Sequence, residues 1–239
     1  MRLDKLLSNM GYGTRKDVRQ LLKNGAVRIN DQVEKKSSTH VNTEIDRVTC
    51  LGEPVVYREF IYLMMNKNQG VLSATEDTRD KTVIDLLSDE YRHFKPFPVG
   101  RLDKDTEGFL LLSNDGKLAH NLLSPKKNVP KTYYAHVLGV VTEEDVENFK
   151  NGVMLDDGYV AKPGTLKILE SAETSEIELT ITEGKFHQVK RMFEAVGKKV
   201  MYLKRLSMGP IELDDTLPLG AYRELTVEEL ELLQQTSNK

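Results

Sequence analysis

Hydrophobic positions at the start of the chain recur at the spacing of an α-helix. The first apolar face consists of Leu3, Leu6, Leu7 and Met10. The glycines of the sequence GYG, at positions 11–13, end this helix. Thr14 followed three residues later by Asp17 is typical of a capping box, which begins a new helix. The pattern therefore predicts two short consecutive helices.

The second predicted helix has an apolar face and a basic face. The apolar face consists of Val18, Leu21 and Leu22. The basic face, repeated every four residues, consists of Arg15, Arg19 and Lys23. Gly25 supplies a C-terminal stop, and the sequence AVRIN then leads into the turn residues Asn30 and Asp31. A β-hairpin is expected there.

The pattern changes after Pro54, where apolar runs of strand length replace the helical spacing. Strands are predicted for FIYLMM, FLLL, KTYYAHVLG, GTLKIL, EIELTIT, KVMYLKRL and GPIEL, and short helices for TVIDLL, GKLAHNLL and EEDVENFK. This order predicts an α+β fold with a mixed, largely antiparallel sheet. We place the domains at residues 1–58 and 59–239, and expect the end of the chain, Gln234 to Lys239, to be frayed.

The composition is that of an ordinary globular protein. The 239 residues are 39% hydrophobic and 30% charged, no apolar run approaches the roughly 20 residues of a membrane helix, and no signal-peptide pattern opens the sequence. We therefore expect a cytoplasmic protein without a membrane partner. Cys50 is the single cysteine and the five histidines show no metal-ligand spacing, so we predict no disulfide and no metal site.

A net charge of −3 hides two basic regions. Residues 1–36 contain nine basic and four acidic residues, and residues 184–206 contain seven basic residues and one acidic residue, whereas the sequence from Ser207 onward is acidic. Basic regions of this kind contact nucleic-acid phosphates, although a basic stripe is also compatible with a solvated helix face. The candidate RNA-binding residues are Arg2, Lys5, Arg15, Lys16, Arg19, Lys23 and Arg28.

Charged side chains in the sequence GRLDKDTEG, residues 100–108, separate two apolar runs. PFPV precedes this loop and FLLLSND follows it, so the charges lie where two buried strands meet. Arg101 and Asp103 would point to the same side of an extended segment, and Gly100 and Gly108 permit tight turns at its ends. A solvated turn with a surface ion pair would give the same local pattern. The motifs further along the chain favour a reactive loop.

Three motifs in order resemble those of the pseudouridine synthases, in particular the RsuA-type branch that modifies bacterial ribosomal RNA. They are GRLDKDTEG, KTY at residues 131–133 and EGKFHQVKRM at residues 183–192. The resemblance covers nearly the whole chain, and residues 1–58 resemble an S4 RNA-binding domain. It implies isomerisation of a uridine to pseudouridine in a cleft across the sheet. The form LLSPKKNVPKTY is closer to the small-subunit enzymes, which implies 16S ribosomal RNA as the substrate.

The resemblance identifies Asp103 as the catalytic aspartate. Its carboxylate can attack the nucleotide at C1′ or C6, or assist elimination at the ribose, and every route requires it ionised beside a flipped-out uridine. Because burial favours the neutral acid, a neighbouring cation is needed. Lys190 aligns with the basic residue of the family, which is arginine in many relatives, and Arg191 is the neighbouring alternative.

Three further residues receive substrate-binding roles from the resemblance. Tyr133 is expected to stack on the uracil, with its hydroxyl near the C5 proton, although an aromatic strand pair with Tyr134 would also explain it. Arg101 is expected to hold the flipped-out conformation or to bind a flanking phosphate, and Leu206 to form the apolar floor under the base. Isomerisation loses no atoms, so no cofactor is expected.

Alternative functions are a magnesium phosphatase, a non-catalytic S4-type RNA-binding or ribosome-assembly protein, and a pseudouridine synthase acting on 23S rRNA or tRNA. Asp103 and Asp105 partly match a DxDx[TV] phosphatase motif, but Thr106 falls one residue early and Glu107 occupies the threonine or valine position. We expect ribosomal RNA or a pre-ribosomal particle as the partner, no protein partner, and a monomer.

Overall fold

The computed structural model describes residues 1–238, and the chain folds into two compact units. The first unit comprises residues Met1–Ile61 and Leu87–Pro96, and the second comprises Tyr62–Leu86 and the chain from Phe97 onward. Residues 59–61 and 87–96, which the sequence analysis assigned to the second domain, therefore pack with the first unit. The charged loop and the second and third motifs all belong to the second unit.

The first unit contains three helices and a small sheet. The helices are α1 (Leu3–Asn9), α2 (Arg15–Lys23) and α3 (Asp89–Arg92). The strands are β1 (Val27–Ile29), β2 (Gln32–Val33), β3 (Val48–Cys50) and β4 (Glu53–Pro54), in the order β2-β1-β3-β4.

The predicted start of α2 and the hairpin after it are both confirmed. The Asp17 carboxylate accepts a 2.9 Å hydrogen bond from the backbone N–H of Thr14, and the Thr14 hydroxyl accepts one from Asp17, which closes the capping box. Asn30 and Asp31 take left-handed φ values of 50° and 66°, as a tight β1–β2 turn requires. The apolar faces of α1 and α2 are buried against the sheet together with Cys50.

As far as Asn238, the second unit contains nine strands and four α-helices. The strands are β5 (Tyr62–Lys67), β6 (Phe97–Val99), β7 (Glu107–Ser113), β8 (Lys131–Leu138), β9 (Thr165–Glu170), β10 (Thr174–Ile181), β11 (Lys199–Met208), β12 (Ile211–Glu212) and β13 (Tyr222–Glu224). The helices are α4 (Gly116–Leu123), α5 (Glu143–Asn151), α6 (Gln188–Ala195) and α7 (Val227–Asn238).

One mixed sheet organises this unit. Its order is β13-β5-β7-β11-β8-β10-β9, with β6 paired to β7 and β12 to β11. The pairing of β7 with β11 is parallel, and the other strand pairs are antiparallel. The predicted α+β fold with a largely antiparallel sheet is confirmed.

Strand β8 lies between β11 and β10 and has alternate residues buried. Its buried positions are Lys131, Tyr133, Ala135 and Val137. In the sheet register Tyr133 lies beside Arg205 of β11 and Leu179 of β10. Helix α6 buries Val189, Met192 and Phe193, and Phe193 packs on Phe149 of α5 with ring centroids 4.8 Å apart. The buried positions of β8 and α6 therefore include both apolar and polar residues.

Several elements differ from the sequence expectations. The sequence TVIDLL forms a short helix as expected, a 3-10 helix at Val83–Leu86, whereas α3 and β13 were not predicted. Helix α7 continues to Asn238 through the segment from Gln234 where fraying is expected, and Lys239 lies outside the described residues. Within residues 1–238 no helix has the length and apolar character needed to span a membrane.

Candidate active site

The charged loop joins β6 to β7, which pair in antiparallel fashion. Gly100 takes a φ of +81° at its start. At its end Gly108 faces Arg205 across the parallel β7–β11 pair, where a Cβ atom would lie 2.2 Å from the Arg205 carbonyl oxygen. Glycine is required at position 108 because no side chain fits between these two strands. The close approach brings the loop next to β11 and β8.

Asp103 forms an ion pair with Lys190 of α6. The Lys190 Nζ lies 3.0 Å from Asp103 Oδ2 and 2.7 Å from Asp105 Oδ1. Burial opposes the charge on Lys190, but its hydrogen bonds with Asp105 and Asp103 raise its pKa above the ordinary value. The hydrogen bond from Lys190 lowers the pKa of Asp105. Lys190 therefore remains protonated and holds the loop carboxylates next to α6.

Arg191, the alternative cation, points elsewhere. Its guanidinium Nε lies 2.6 Å from Asp156 Oδ1, and Nη2 lies 2.6 Å from Asp157 Oδ2. Consecutive helix positions are about 100° apart around the axis, so both side chains cannot face Asp103. The geometry assigns Lys190 as the partner of Asp103.

A buried lysine that was not predicted from the sequence holds the loop by hydrogen bonds to backbone carbonyls. Lys67, at the end of β5, is fully buried, and its Nζ donates hydrogen bonds to the backbone carbonyls of Thr106 (2.9 Å), Asp103 (3.1 Å) and Asn68 (3.1 Å). Burial lowers the pKa of Lys67 to about 8, against the opposing charges of the nearby acidic residues. Its position at the end of the apolar run YLMMNK was the available sequence signal.

Asp103 lies in a cavity between the loop, β8, β11 and α6. Arg101, Tyr133 and Lys190 line the same cavity, so four predicted site residues are brought together. Tyr133 is 8% exposed, and Leu203 and Ile181 contribute apolar walls. Arg101 is exposed, and its guanidinium forms no ion pair with any residue in the described part of the chain. The cavity can hold a planar ring beside a carboxylate.

Leu206 does not line this cavity, and its prediction as the apolar floor is corrected. It lines a separate cavity with Thr132 and Leu213. Leu203 and Arg205 occupy the face of β11 that carries the Asp103 site, and a bulge between Arg205 and Ser207 leaves Leu206 without a partner in the β8 register. Leu203 occupies the position expected for Leu206.

His187 is a second residue that sequence reasoning missed. Its Nε2 lies 3.5 Å from Asp103 Oδ1, and its side chain is 41% exposed. It precedes α6 with a left-handed φ of 48°, and its ring stacks on the exposed Phe186 with centroids 3.8 Å apart. Both belong to the motif EGKFHQVKRM, whose basic residue alone was chosen from the sequence.

The basic residues of the first unit fall into two groups. Arg15, Lys16, Arg19, Lys23 and Lys5 are exposed, so the predicted basic face of α2 is open to solvent. Arg2 instead pairs with the buried Asp4 at 2.7 Å, and Arg28 donates to the carbonyl of Asp31 at 2.9 Å. These two side chains also have structural partners within the unit.

Comparison with known proteins places these features in a family. The RNA pseudouridylate synthase model matches residues 61–195, and the S4 domain model matches residues 1–45. The uncharacterized RNA pseudouridine synthase YtzG of Bacillus subtilis is 58% identical, with 98% of this chain and 99% of that protein covered. A solved pseudouridylate synthase matches with a TM-score of 0.68 and 35% identity, covering 98% of this chain and 99% of the other.

Two relatives carry names that include a ribosomal subunit. Ribosomal small subunit pseudouridine synthase A of Vibrio vulnificus is 39% identical, with 97% of this chain and 98% of that protein covered. Ribosomal large subunit pseudouridine synthase B of Bacillus subtilis is 37% identical, with 98% and 95% covered. Matches of this extent run through both compact units and confirm the resemblance seen in the three motifs. The chain belongs to the RNA pseudouridylate synthase family and carries an S4 domain.

Proposed function

We propose that this enzyme isomerises one specific uridine of 16S ribosomal RNA to pseudouridine, with Asp103 as the catalytic group. The observation that carries the proposal is the placement of the Asp103 carboxylate, 3.0 Å from the Lys190 ammonium, in a cavity also lined by Tyr133. Such a cavity can take a nucleotide only after it has left the RNA stack. The RNA must therefore present the uridine flipped out.

The reaction conserves every atom of the substrate. The glycosidic bond between N1 and C1′ breaks, a bond between C5 and C1′ forms, the proton at C5 leaves and N1 gains one. No oxidant, reductant or energy source is needed. Asp103 acts either as a nucleophile or by assisting elimination at the ribose, and the Lys190 ammonium pairs with its carboxylate in both cases.

The remaining side chains of the cavity orient the nucleotide. Tyr133 offers an aromatic face to the uracil and a hydroxyl near C5. Leu203, rather than Leu206, forms the apolar floor. Arg101, exposed at the cavity entrance, fills the gap left by the flipped nucleotide or binds a flanking phosphate.

The exposed basic face of α2 binds the RNA backbone and takes no part in the chemistry. If Arg15, Arg19 and Lys23 bind phosphates, replacing all three by glutamine lowers the slope of log K against log salt by roughly 0.7 to 0.9 for each lost contact. At saturating RNA the variant approaches the parent rate. An unchanged salt slope would show that this face is only solvated.

The assignment to the small subunit rests on the sequence LLSPKKNVPKTY and on the likeness to small subunit synthase A. The likeness to large subunit synthase B makes 23S rRNA the second candidate. We propose that the partner is ribosomal RNA or a pre-ribosomal particle and that the enzyme works as a cytoplasmic monomer without a cofactor.

Mapping pseudouridines tests substrate and activity together. Carbodiimide adducts stop reverse transcription at pseudouridine, so 16S rRNA, 23S rRNA and tRNA are compared between cells with and without the gene. We expect one stop in 16S rRNA to disappear without the gene and to return with the parent enzyme. A stop lost from 23S rRNA or tRNA instead would overturn the small-subunit assignment.

A further inference from the structure

A second cavity lies beside the one that holds Asp103. It has a volume of about 380 Å³, within the range of sites that take small ligands. Arg101 and Tyr133 line both cavities, so the second begins where the first ends. Lys131 of β8 and Arg205 of β11 lie in its walls. The uracil placed beside Asp103 does not occupy this space.

Positively charged residues outnumber negatively charged ones around this second cavity. Its cationic lining residues are Arg101, Lys131, Lys162, Lys185 and Arg205. The single carboxylate in the lining, Glu183, already accepts hydrogen bonds from the Tyr159 hydroxyl at 2.7 Å and from Gln188 at 2.6 Å. An anion entering the cavity is therefore attracted by several cations and meets one carboxylate that is already hydrogen-bonded.

Arg205 has spare hydrogen-bonding capacity in this cavity. It is 2% exposed, and its Nε donates to the Phe109 carbonyl at 2.8 Å. Its Nη2 is buried and forms no hydrogen bond to any residue among 1–238. A buried guanidinium nitrogen without an acceptor is costly, and a ligand oxygen would remove that cost.

Lys131 is the second buried donor. It is 7% exposed, and its Nζ donates one hydrogen bond, of 2.9 Å, to the Val129 carbonyl. An ammonium group has three donors, so two remain for a ligand. Burial, reinforced by the positive charge of Arg205, lowers the pKa of Lys131 to about 8. A neighbouring anion would favour its protonated form.

We propose that this second cavity binds a phosphate group of the RNA backbone adjoining the flipped-out uridine, through Arg205 Nη2 and Lys131 Nζ. The inference rests on the proposed function, because it takes the nucleotide in the Asp103 cavity to be the target uridine. The shared wall of Arg101 and Tyr133 lets one nucleotide place its base in the first cavity and its phosphate in the second. Two buried, partly unpaired cations recognise the phosphate oxygens.

Nucleotide binding to the full-length protein tests this without turnover. Uridine, uridine 3′-monophosphate, uridine 5′-monophosphate and inorganic phosphate are titrated separately and followed by NMR. We expect one of the two monophosphates to bind at least about tenfold more tightly than uridine, as a charge-assisted hydrogen bond provides. Equal affinities of uridine and both monophosphates would overturn the proposal. Inorganic phosphate binding as tightly as the nucleotide would show a free-anion site instead.

Lys131→Met identifies the cavity, and Lys167→Met is its matched control. Both variants remove one lysine charge from the sheet, but Lys167 pairs with Glu178 at an exposed site outside the cavity. We expect Lys131→Met to reduce the monophosphate advantage to less than about threefold and Lys167→Met to preserve it. Equal effects of both variants, or no effect of Lys131→Met in a folded protein, would refute the site.

The binding experiment separates this inference from the proposed function. If ribosomal RNA shows no gene-dependent pseudouridine while the monophosphate advantage persists and depends on Lys131, the phosphate site stands and the assigned substrate is wrong. If pseudouridine forms but Lys131→Met leaves nucleotide binding unchanged, the proposed function stands and the phosphate site is wrong.

Discussion

Replacing Lys190 by methionine keeps most of the length of the side chain and removes its charge. The parent ammonium lies 3.0 Å from Asp103 and 2.7 Å from Asp105, with 19% of the lysine side chain exposed. At an effective dielectric constant of roughly 20 such a contact has a Coulomb energy of about 5 kcal/mol, which is an upper limit. Methionine also leaves two carboxylates close together without a cation.

Solvent reduces this energy. Asp103 is 29% exposed and Asp105 is 69% exposed, so we expect the loop to lose about 1 to 2 kcal/mol of the interaction that holds its carboxylates next to α6. Since about 1.4 kcal/mol corresponds to a factor of ten in rate, the rate of pseudouridine formation should fall by about fivefold to thirtyfold. Lys190→Arg should return the rate most of the way toward the parent value.

Single-turnover rates of pseudouridine formation, measured by tritium release from C5 of the uridine, check this loss. Arg191→Met is the control, because Arg191 pairs with Asp156 and Asp157 and the substitution should leave the rate close to the parent value. A rate that is unchanged in Lys190→Met and lowered in Arg191→Met would refute the assignment of the cation.

Three further substitutions test the scaffold of the site. Lys67→Met removes the hydrogen bonds to the loop carbonyls, so activity should fall at least tenfold. It also relieves the burial of a charge, worth about 3 kcal/mol for a pKa lowered to about 8, so the melting temperature should change little. A large loss of stability with full activity would contradict this prediction. Lys131→Met relieves the same burial cost of about 3 kcal/mol but loses a hydrogen bond to the Val129 carbonyl worth about 1 kcal/mol, so it should stabilise the protein by about 2 kcal/mol at pH 7. Because the unfolded chain binds more protons than the folded one between pH 8 and 10.5, urea unfolding should show this advantage shrinking as pH rises through that window; an advantage independent of pH would contradict a burial cost at Lys131. Gly108→Ala should cost about 2 to 4 kcal/mol in urea unfolding because its Cβ would meet the Arg205 carbonyl at 2.2 Å, whereas Gly70→Ala, at a similar φ but with open space, should cost about 1 kcal/mol; equal costs would contradict the close-contact argument.

Local sequence patterns predicted the elements whose stability is local. The capping box at Thr14 and Asp17 and the turn at Asn30 and Asp31 depend on residues a few positions apart, so their side chains identify them. Long apolar runs likewise predicted the main strands of the second unit. Helix α3 is four residues long and offers no periodic pattern, which explains why it was missed.

Sequence motifs predicted some residues of the candidate site, but not the residues that the fold brings to it from distant segments. Asp103, Tyr133 and Lys190 follow from the three motifs. The role of Lys67 arises because β5 ends beneath the loop of Asp103, a relation between distant segments that no local pattern contains. The prediction of Leu206 failed because a bulge in β11 changes which side chains face the cavity.

We propose Asp103 as the catalytic group, and the rate of pseudouridine formation by Asp103→Asn tests this role most directly. Asparagine keeps the size and hydrogen bonding of the side chain and removes its charge, so we expect no detectable product while the protein stays folded. Asp105→Asn, which alters the other carboxylate on Lys190, is the matched control and should reduce the rate by less than about tenfold. Turnover by Asp103→Asn at more than a few per cent of the parent rate would contradict the account.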